Sequence, residues 1–198
     1  MNIEKATKEY IDDIVHIHQD AFEDFFLTSL GEDFLKFYYS CFISSSDGYI
    51  ICAVDEGKVL GFSAVAKEAK GFNTKLIRRN LIDFIRWGLK VLFTSPDSLI
   101  RLLKNLTKRV DGVDDNGDYA ELFSIAVCSE YQGKGLGKTL LKYTEEYLRL
   151  NGIQRISLTT DFYNNSSVIA FYQSMGYVVF YDFITYPNRR MYRLIKKA

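Results

Sequence analysis

Glycines at 133, 135 and 137 stand between an apolar run (Leu122, Phe123, Ile125, Val127) and an amphipathic stretch, Leu136–Leu150. The run reads as a strand and the stretch as a helix, so the chain must turn from one into the other within a few residues. Glycine permits the φ > 0 conformations that aim successive N–H groups in one direction, and it lets an anion come close to the backbone. The helix start adds unsatisfied N–H groups and the positive end of its dipole. The turn therefore predicts a phosphate or pyrophosphate cradle, with Lys134 and Lys138 adding positive charge.

A P-loop would need a glycine five residues before Gly137-Lys138-Thr139, and that position is Gln132. A dinucleotide fingerprint would need a third glycine three residues after Gly135, where Lys138 stands. Gln-x-x-Gly-x-Gly fits at Gln132, Gly135 and Gly137. The plain alternative is that the glycines only tighten a strand-to-helix turn.

Apolar spacing predicts a strand at 3–5, a helix from residue 9 to 22, and a second helix after Gly31 that carries Phe34, Leu35, Tyr38, Tyr39 and Phe42. Residues 49–54 and 59–66 read as a hairpin about Asp55-Glu56-Gly57-Lys58. Beyond residue 118 the pattern gives a strand at 119–127, the helix at 136–150, a strand at 155–160 and a helix at 166–175. Residues 177–185 and 190–195 close the chain as an antiparallel pair. The order predicts a mixed α/β layer fold, neither bundle nor barrel. Its sheet is largely antiparallel with a central parallel β-α-β unit of right-handed connection.

Apolar residues at 47% and charged residues at 25% are ordinary globular values and exclude disorder. The 25 basic and 25 acidic residues cancel, which argues against nucleic acid as a partner. Cys41, Cys52 and Cys128 are too scattered for a disulfide framework or zinc site and suit a reducing compartment. No apolar signal region opens the chain, and no uncharged run of about 18 residues could span a bilayer. The expectation is a soluble, cytoplasmic, single domain over residues 1–198, with neither monomer nor homodimer selected.

Residues 72–118, between the third and fourth strands, read as an insertion: two helices broken near Ser95-Pro96-Asp97, then an acidic loop at 111–118. Residues 72–110 hold nine basic and two acidic side chains, a net +7, so the remainder is net −7. The pattern predicts a helical hairpin with a solvated basic outer face.

On the glycine turn and the strand before it, the chain resembles the GCN5-related N-acetyltransferase superfamily, over all of its length except 72–118. In that family the turn binds the pyrophosphate of acetyl-CoA, which implies this role for the backbone of Gln132, Gly133, Lys134, Gly135, Leu136, Gly137 and Lys138. The resemblance also implies main-chain pairing of Ile125, Ala126 and Val127 with the pantetheine arm, and an oxyanion-stabilising N–H near Val127. A second block, residues 164–177, is similar to the family's Asn-x-x-Ala-x-x-Phe/Leu-Tyr-x-x-x-Gly-Phe/Tyr segment. It sets Asn165 on the family asparagine, where it would contact the CoA arm and help start the helix, and Val168, a departure, on the alanine. Tyr172 falls where family members keep a tyrosine near the sulfur; by residue type alone it reads as a core tyrosine.

Acyl transfer from a thioester to an amine needs a neutral amine, close reactants, a stabilised oxyanion and a stabilised leaving thiolate. Glu121, eleven residues before Gln132, stands where some family members place a general base. A carboxylate half-buried among Leu122, Phe123 and Ile125 would hold protons more tightly, while the alternative is a solvent-facing glutamate beside the acidic loop. Tyr172 would donate to the departing sulfur. Direct attack needs no covalent intermediate, so Cys128 reads as a small buried residue. His16 and His18 read as structural, and no metal is expected.

The family's acceptor pocket borders the loop between the first two helices, which implicates Phe25, Phe26 and Leu27. The insertion is expected to cover or narrow that pocket, its cationic face suiting a nucleotide-linked amino sugar or an anionic membrane surface. The reaction implied is transfer of acetyl from acetyl-CoA to the primary amine of a small molecule, amino sugars included. The alternatives are an N-terminal or lysine amine of a protein or peptide, and a CoA-binding regulatory module without turnover.

Overall fold

Seven strands form one sheet: β1 (Asn2–Lys5), β2 (Gly48–Asp55), β3 (Lys58–Ala66), β4 (Ala120–Val127), β5 (Arg155–Asp161), β6 (Val178–Thr185) and β7 (Arg189–Lys197). The computed structural model describes residues 1–94 and 115–197. Strand order is β1-β2-β3-β4-β5-β7-β6, antiparallel throughout except for β4 and β5. This is the mixed, largely antiparallel sheet with one central parallel pair that the element order predicts. The helices among the described residues are α1 (Ile11–Ala21), α2 (Glu32–Ser44), α3 (Phe72–Arg79), α4 (Leu81–Thr94), α5 (Leu136–Leu150) and α6 (Ser166–Ser174).

Helices cover both faces of the sheet, which is why β2 and β3 read as nearly continuous apolar runs. On one face α1 and α2 bury Ile14, Leu35, Tyr39 and Phe42 against Phe62 and Ala64 of β3. On the other, α5 and α6 bury Leu141, Leu148 and Tyr172 against Leu122, Ile156 and Leu158. A buried hydrogen bond of 2.6 Å between Ser63 and Thr144 hydroxyls pins α5 to β3.

The parallel pair is short. β4 and β5 register at Ala120–Ile156, Glu121–Ser157 and Leu122–Leu158, and pairing stops there. β4 continues to pair with β3 as far as Gly61–Val127. A register shift between Ala64 and Val65 of β3 adds Phe123 as an extra residue in β4. A bulge bends its strand and strengthens the local twist. Past Leu122 the two strands part, and the edge of β4 from Phe123 to Val127 is left without a strand partner among the described residues.

The inserted segment departs from expectation in its first helix. Asn80 closes α3 and opens α4: its side-chain amide donates to Leu76 O at 2.9 Å, and its carbonyl accepts from Phe84 N at 3.0 Å. Asparagine offers the backbone a side-chain alternative to the helical ladder, and that ends the first helix early. The expected break at Ser95-Pro96-Asp97 and the helix after it lie outside the described residues. α3 and α4 pack on α2: Phe72 against Phe42 (4.9 Å between ring centres), Trp87 against Phe34 (5.7 Å), Phe84 against Phe37 (5.0 Å).

Candidate active site

Where β4 and β5 part, a cleft of about 360 Å³ opens. Its floor is Leu122, Phe123, Ser124 and Ile125 of β4, and its opposite wall is Leu158, Thr159, Thr160 and Asp161 of β5. Asn165, Val168 and Tyr172 close one side, and Phe22, Phe25, Arg189 and Met191 the other. Of the cofactor residues expected on β4 and the glycine turn, Ile125 borders this cleft together with Asn165, Val168 and Tyr172 of the second block, whereas residues 126–138 do not line it.

The glycine turn follows from the end of β4. Cys128 N donates to Leu60 O at 2.9 Å, tying the strand end to β3. Alternation along a strand then turns the Val127 N–H and C=O to the opposite edge, toward β5. Gln132 Nε2 reaches that carbonyl at 3.3 Å and folds the turn back onto the strand. Gly133 (φ 71°) and Gly135 (φ 84°) are both left-handed, and nothing lies within 4 Å of where a Cβ would stand. The first main-chain bond of α5 runs from Thr139 N to Gly135 O at 3.0 Å, and the N–H groups of 133–138 have no main-chain acceptor among the described residues. Those amides, the helix start, Lys134 and Lys138 are the groups at this turn that can meet an anion. Lys134 Nζ sits 5.1 Å from the Tyr131 ring, and Leu136 anchors the helix in the core.

Tyr172 is buried, edge-on to Phe171 and Tyr177, and lines the cleft. Burial pushes its hydroxyl well above the ordinary phenol range, so it is a proton-bearing donor at neutral pH. Asn165 begins α6 without capping it through its side chain. Instead its Nδ2 donates to Thr160 Oγ1 (2.6 Å) and Asp161 O (3.0 Å), which ties the helix start to β5. The helix-starting role expected for this side chain is therefore corrected: the cap position is filled, but the side-chain bonds run backward.

Glu121 does not line this cleft. It borders a separate depression with Asp115, Tyr119 and Arg193, one residue before the strands part. Its surroundings are not apolar alone: Arg193 Nη1 lies 3.0 Å from Oε1 and 3.2 Å from Ser157 Oγ. Asp115 accepts from Tyr119 (2.7 Å) and Tyr181 (2.6 Å), and these bonds with Arg193 hold its carboxyl below the usual range against the effect of burial. Of the three acceptor-loop residues, Phe25 lines the cleft, whereas Leu27 packs into the core behind α1 and α2 and the Phe26 carbonyl accepts from Ser29.

Composition and spacing give no sign of the pair that closes the acceptor side. Arg189 binds Asp161 through two hydrogen bonds, Nε to Oδ1 at 2.5 Å and Nη2 to Oδ2 at 2.6 Å, and its guanidinium stacks 4.6 Å from the Phe25 ring. The available signal is positional: Asp161 ends β5 where the strands diverge, and Arg189 opens the strand beside it. None of residues 72–91 lines the cleft; Phe72 only backs Phe123, 5.4 Å between ring centres. The described part of the insertion thus buttresses the wall and does not cover it.

The pattern of the Acetyltransferase (GNAT) family matches residues 11–177. The chain belongs to that family. It is 38% identical over 60 residues to the [Ribosomal protein bS18]-alanine N-acetyltransferase of Escherichia coli, a match covering 30% of this chain and 40% of that protein. The chain thus matches less than half the length of the curated relatives. The ribosomal-protein-alanine N-acetyltransferase structure from Brucella melitensis superposes over 100% of both chains with a TM-score of 0.64 at 16% identity. An aminoglycoside 6'-N-acetyltransferase in complex with coenzyme A superposes over 100% of this chain and 97% of its own, with a TM-score of 0.61 at 13% identity. These likenesses show the shared fold.

Proposed function

We propose that the protein transfers acetyl from acetyl-CoA to the primary amine of a small molecule, with amino sugars the favoured class, by direct attack in a ternary complex. The amides of 133–138, with Gln132 bracing the turn, hold the pyrophosphate; the unpaired edge of β4 at Ile125, Ala126 and Val127 receives the pantetheine arm; Asn165 braces the far wall. The Val127 N–H, on the edge of β4 that faces away from β3, stabilises the developing oxyanion. Tyr172 donates a hydrogen bond to the departing sulfur. A phenol held above about 10 does not fully surrender its proton to a thiolate whose acid titrates near 8.5. Tyr172 therefore stabilises the thiolate, and the proton that neutralises it comes from the amine. Glu121, oriented by Arg193, takes that proton from the amine through water and returns it to the thiolate.

The observation that carries the acceptor class is the Phe25–Arg189–Asp161 stack across the acceptor side. It sets an ion pair and an aromatic ring on the wall of a cleft of about 360 Å³, a mix of polar groups and aromatic surface that suits a sugar ring. The identity to a ribosomal-protein acetyltransferase favours a second reading, the α-amine of a protein N-terminus. The three cysteines are free, which agrees with work in the cytoplasm.

Thiol release from acetyl-CoA with a panel of amino sugars, nucleotide-linked amino sugars, polyamines and N-terminal peptides tests the reading. Amino sugars are expected to exceed peptides in kcat/KM by about tenfold or more. A peptide preferred over every sugar sinks the small-molecule reading. CoA binding with no turnover on any amine returns the protein to a regulatory role.

A further inference from the structure

α4 carries an apolar stripe that the transferase site does not use. Its inner face is Phe84, Trp87 and Val91, the two aromatic rings packed on Phe34 and Phe37 of α2. Asp83, Arg86 and Lys90 follow at the helical spacing of a second face. Leu81, Ile82, Ile85 and Leu89 share a third, and each is between 51% and 68% exposed. Spacing of i, i+1, i+4 and i+8 gathers these four on one side of the helix, away from the core. Single exposed leucines are ordinary, but a contiguous stripe on a helix that already buries another face marks a contact surface.

The cations beside the stripe identify the contact. Arg78 stands at the end of α3 just before it, and Arg86 and Lys90 flank it along α4, while Arg79 is turned to Asp47 and Ser46 just past the end of α2. Arg86 pairs with Asp83 at 3.2 Å and Lys90 with Asp33 at 3.3 Å. All four groups of these pairs are more than half exposed, and such pairs give way readily to a stronger anion. Across residues 72–110 the sequence is net +7.

We propose that α4 lies on the surface of an anionic bilayer, with Leu81, Ile82, Ile85 and Leu89 among the upper acyl chains and the arginines and lysine at the headgroup phosphates. Alkyl stripe and marginal cations are the two halves of an interfacial helix. Nucleic acid would engage the cations and leave the alkyl groups in water. A second copy would set the same cations against each other across a two-fold axis. No helix among the described residues is long and apolar enough to cross a membrane, so the contact is with the surface. This proposal stands independently of the acetyl acceptor.

Co-sedimentation with phosphatidylcholine vesicles, with and without about one-quarter phosphatidylglycerol, tests it. The full chain is expected to bind the mixed vesicles about tenfold or more tightly than the neutral ones, with partial weakening by salt. Ile82→Glu with Ile85→Glu, both at exposed positions, is expected to lower that binding by about tenfold or more at unchanged thermal melting. Arg78→Glu with Arg86→Glu is expected to erase the preference for anionic lipid. Wild-type protein that sediments with neither vesicle overturns the proposal, as does an Ile82→Glu, Ile85→Glu variant that binds like wild type. A dimer that the same variant dissociates assigns the stripe to a second copy and also overturns it. Tighter binding to an RNA or DNA oligonucleotide than to the mixed vesicles does the same.

Discussion

Arg193 reaches from β7 over β5 to Glu121 on β4, placing Nη1 3.0 Å from Oε1. Both side chains are less than a fifth exposed, at 14% and 17%, so the pair is held in one geometry. With Glu121 as the base, Glu121→Gln keeps the shape and removes the proton acceptor. The expected result is a kcat lower by about 10²- to 10⁴-fold with CoA affinity unchanged. Asp161→Asn serves as the comparison, because Asp161 is the carboxylate that lines the cleft itself. It is expected to raise the acceptor KM and leave kcat within a few-fold. Steady-state kinetics at saturating acetyl-CoA separates the two, and the opposite pattern moves the base to Asp161.

Tyr172→Phe removes one hydroxyl from a side chain whose ring is fixed by Phe171 and Tyr177. The ring still fills the core, so thermal stability should change little. Loss of a hydrogen bond made to charge that develops only in the transition state lowers kcat and kcat/KM together. A drop of about 10- to 10³-fold is expected in both, with the KM for acetyl-CoA nearly constant. A variant that raises that KM at unchanged kcat would give Tyr172 a binding role in place of a chemical one.

Local sequence carries the turn and the elements because their signals are local. Three alternating glycines and a 3.6-residue apolar period mark the end of β4 and the limits of α5, Leu136–Leu150. Tyr172 and Asn165 are placed by a block whose residues lie within one helix turn or two of each other. Charge pairing is not legible in this way. Glu121 and Arg193 are 72 residues apart, and Asp161 and Arg189 are 28 apart. Nothing in either segment alone marks its partner, so the sequence shows the apolar neighbours of Glu121 without the guanidinium. The parting of β4 and β5 is equally hidden, since it depends on the bulge at Phe123 and on how few pairs the parallel ladder makes.

Gly135 precedes α5 at φ 84° with no atom within 4 Å of where a Cβ would stand, so substitution there meets strain before it meets a clash. Gly135→Ala should cost about 1–2 kcal/mol of backbone strain. If the turn holds the diphosphate as proposed, the larger effect is on the ligand, because a methyl group obstructs its approach and the amide fan is re-aimed. CoA affinity is expected to fall by about tenfold or more, and Gly135→Val further still. Isothermal titration with CoA measures this directly. Equal affinity for wild type and Gly135→Val would show that the diphosphate is held elsewhere.

His18 gives a pH signature. It is 2% exposed, its Nδ1 lies 2.7 Å from the Tyr39 hydroxyl, and Nε2 has no partner among the described residues. Burial lowers its pKa to about 4 from an ordinary 6.5. Between these values the unfolded chain takes up a proton that the folded chain refuses, so stability rises with pH in that window. The contribution is complete above about 6.5 and is lost progressively as pH falls toward about 4, roughly 2 kcal/mol of it by pH 5. His18→Asn keeps a polar atom near Tyr39 and cannot titrate. Urea unfolding at pH 7.5 and pH 5 should show the wild type losing about 2 kcal/mol more than the variant over that interval. The variant will start less stable because it leaves space beside Phe22, but its shallower slope is the diagnostic. Equal slopes would mean that the folded protein accommodates a charged imidazole at this position, which would require water or a carboxylate to reach Nε2.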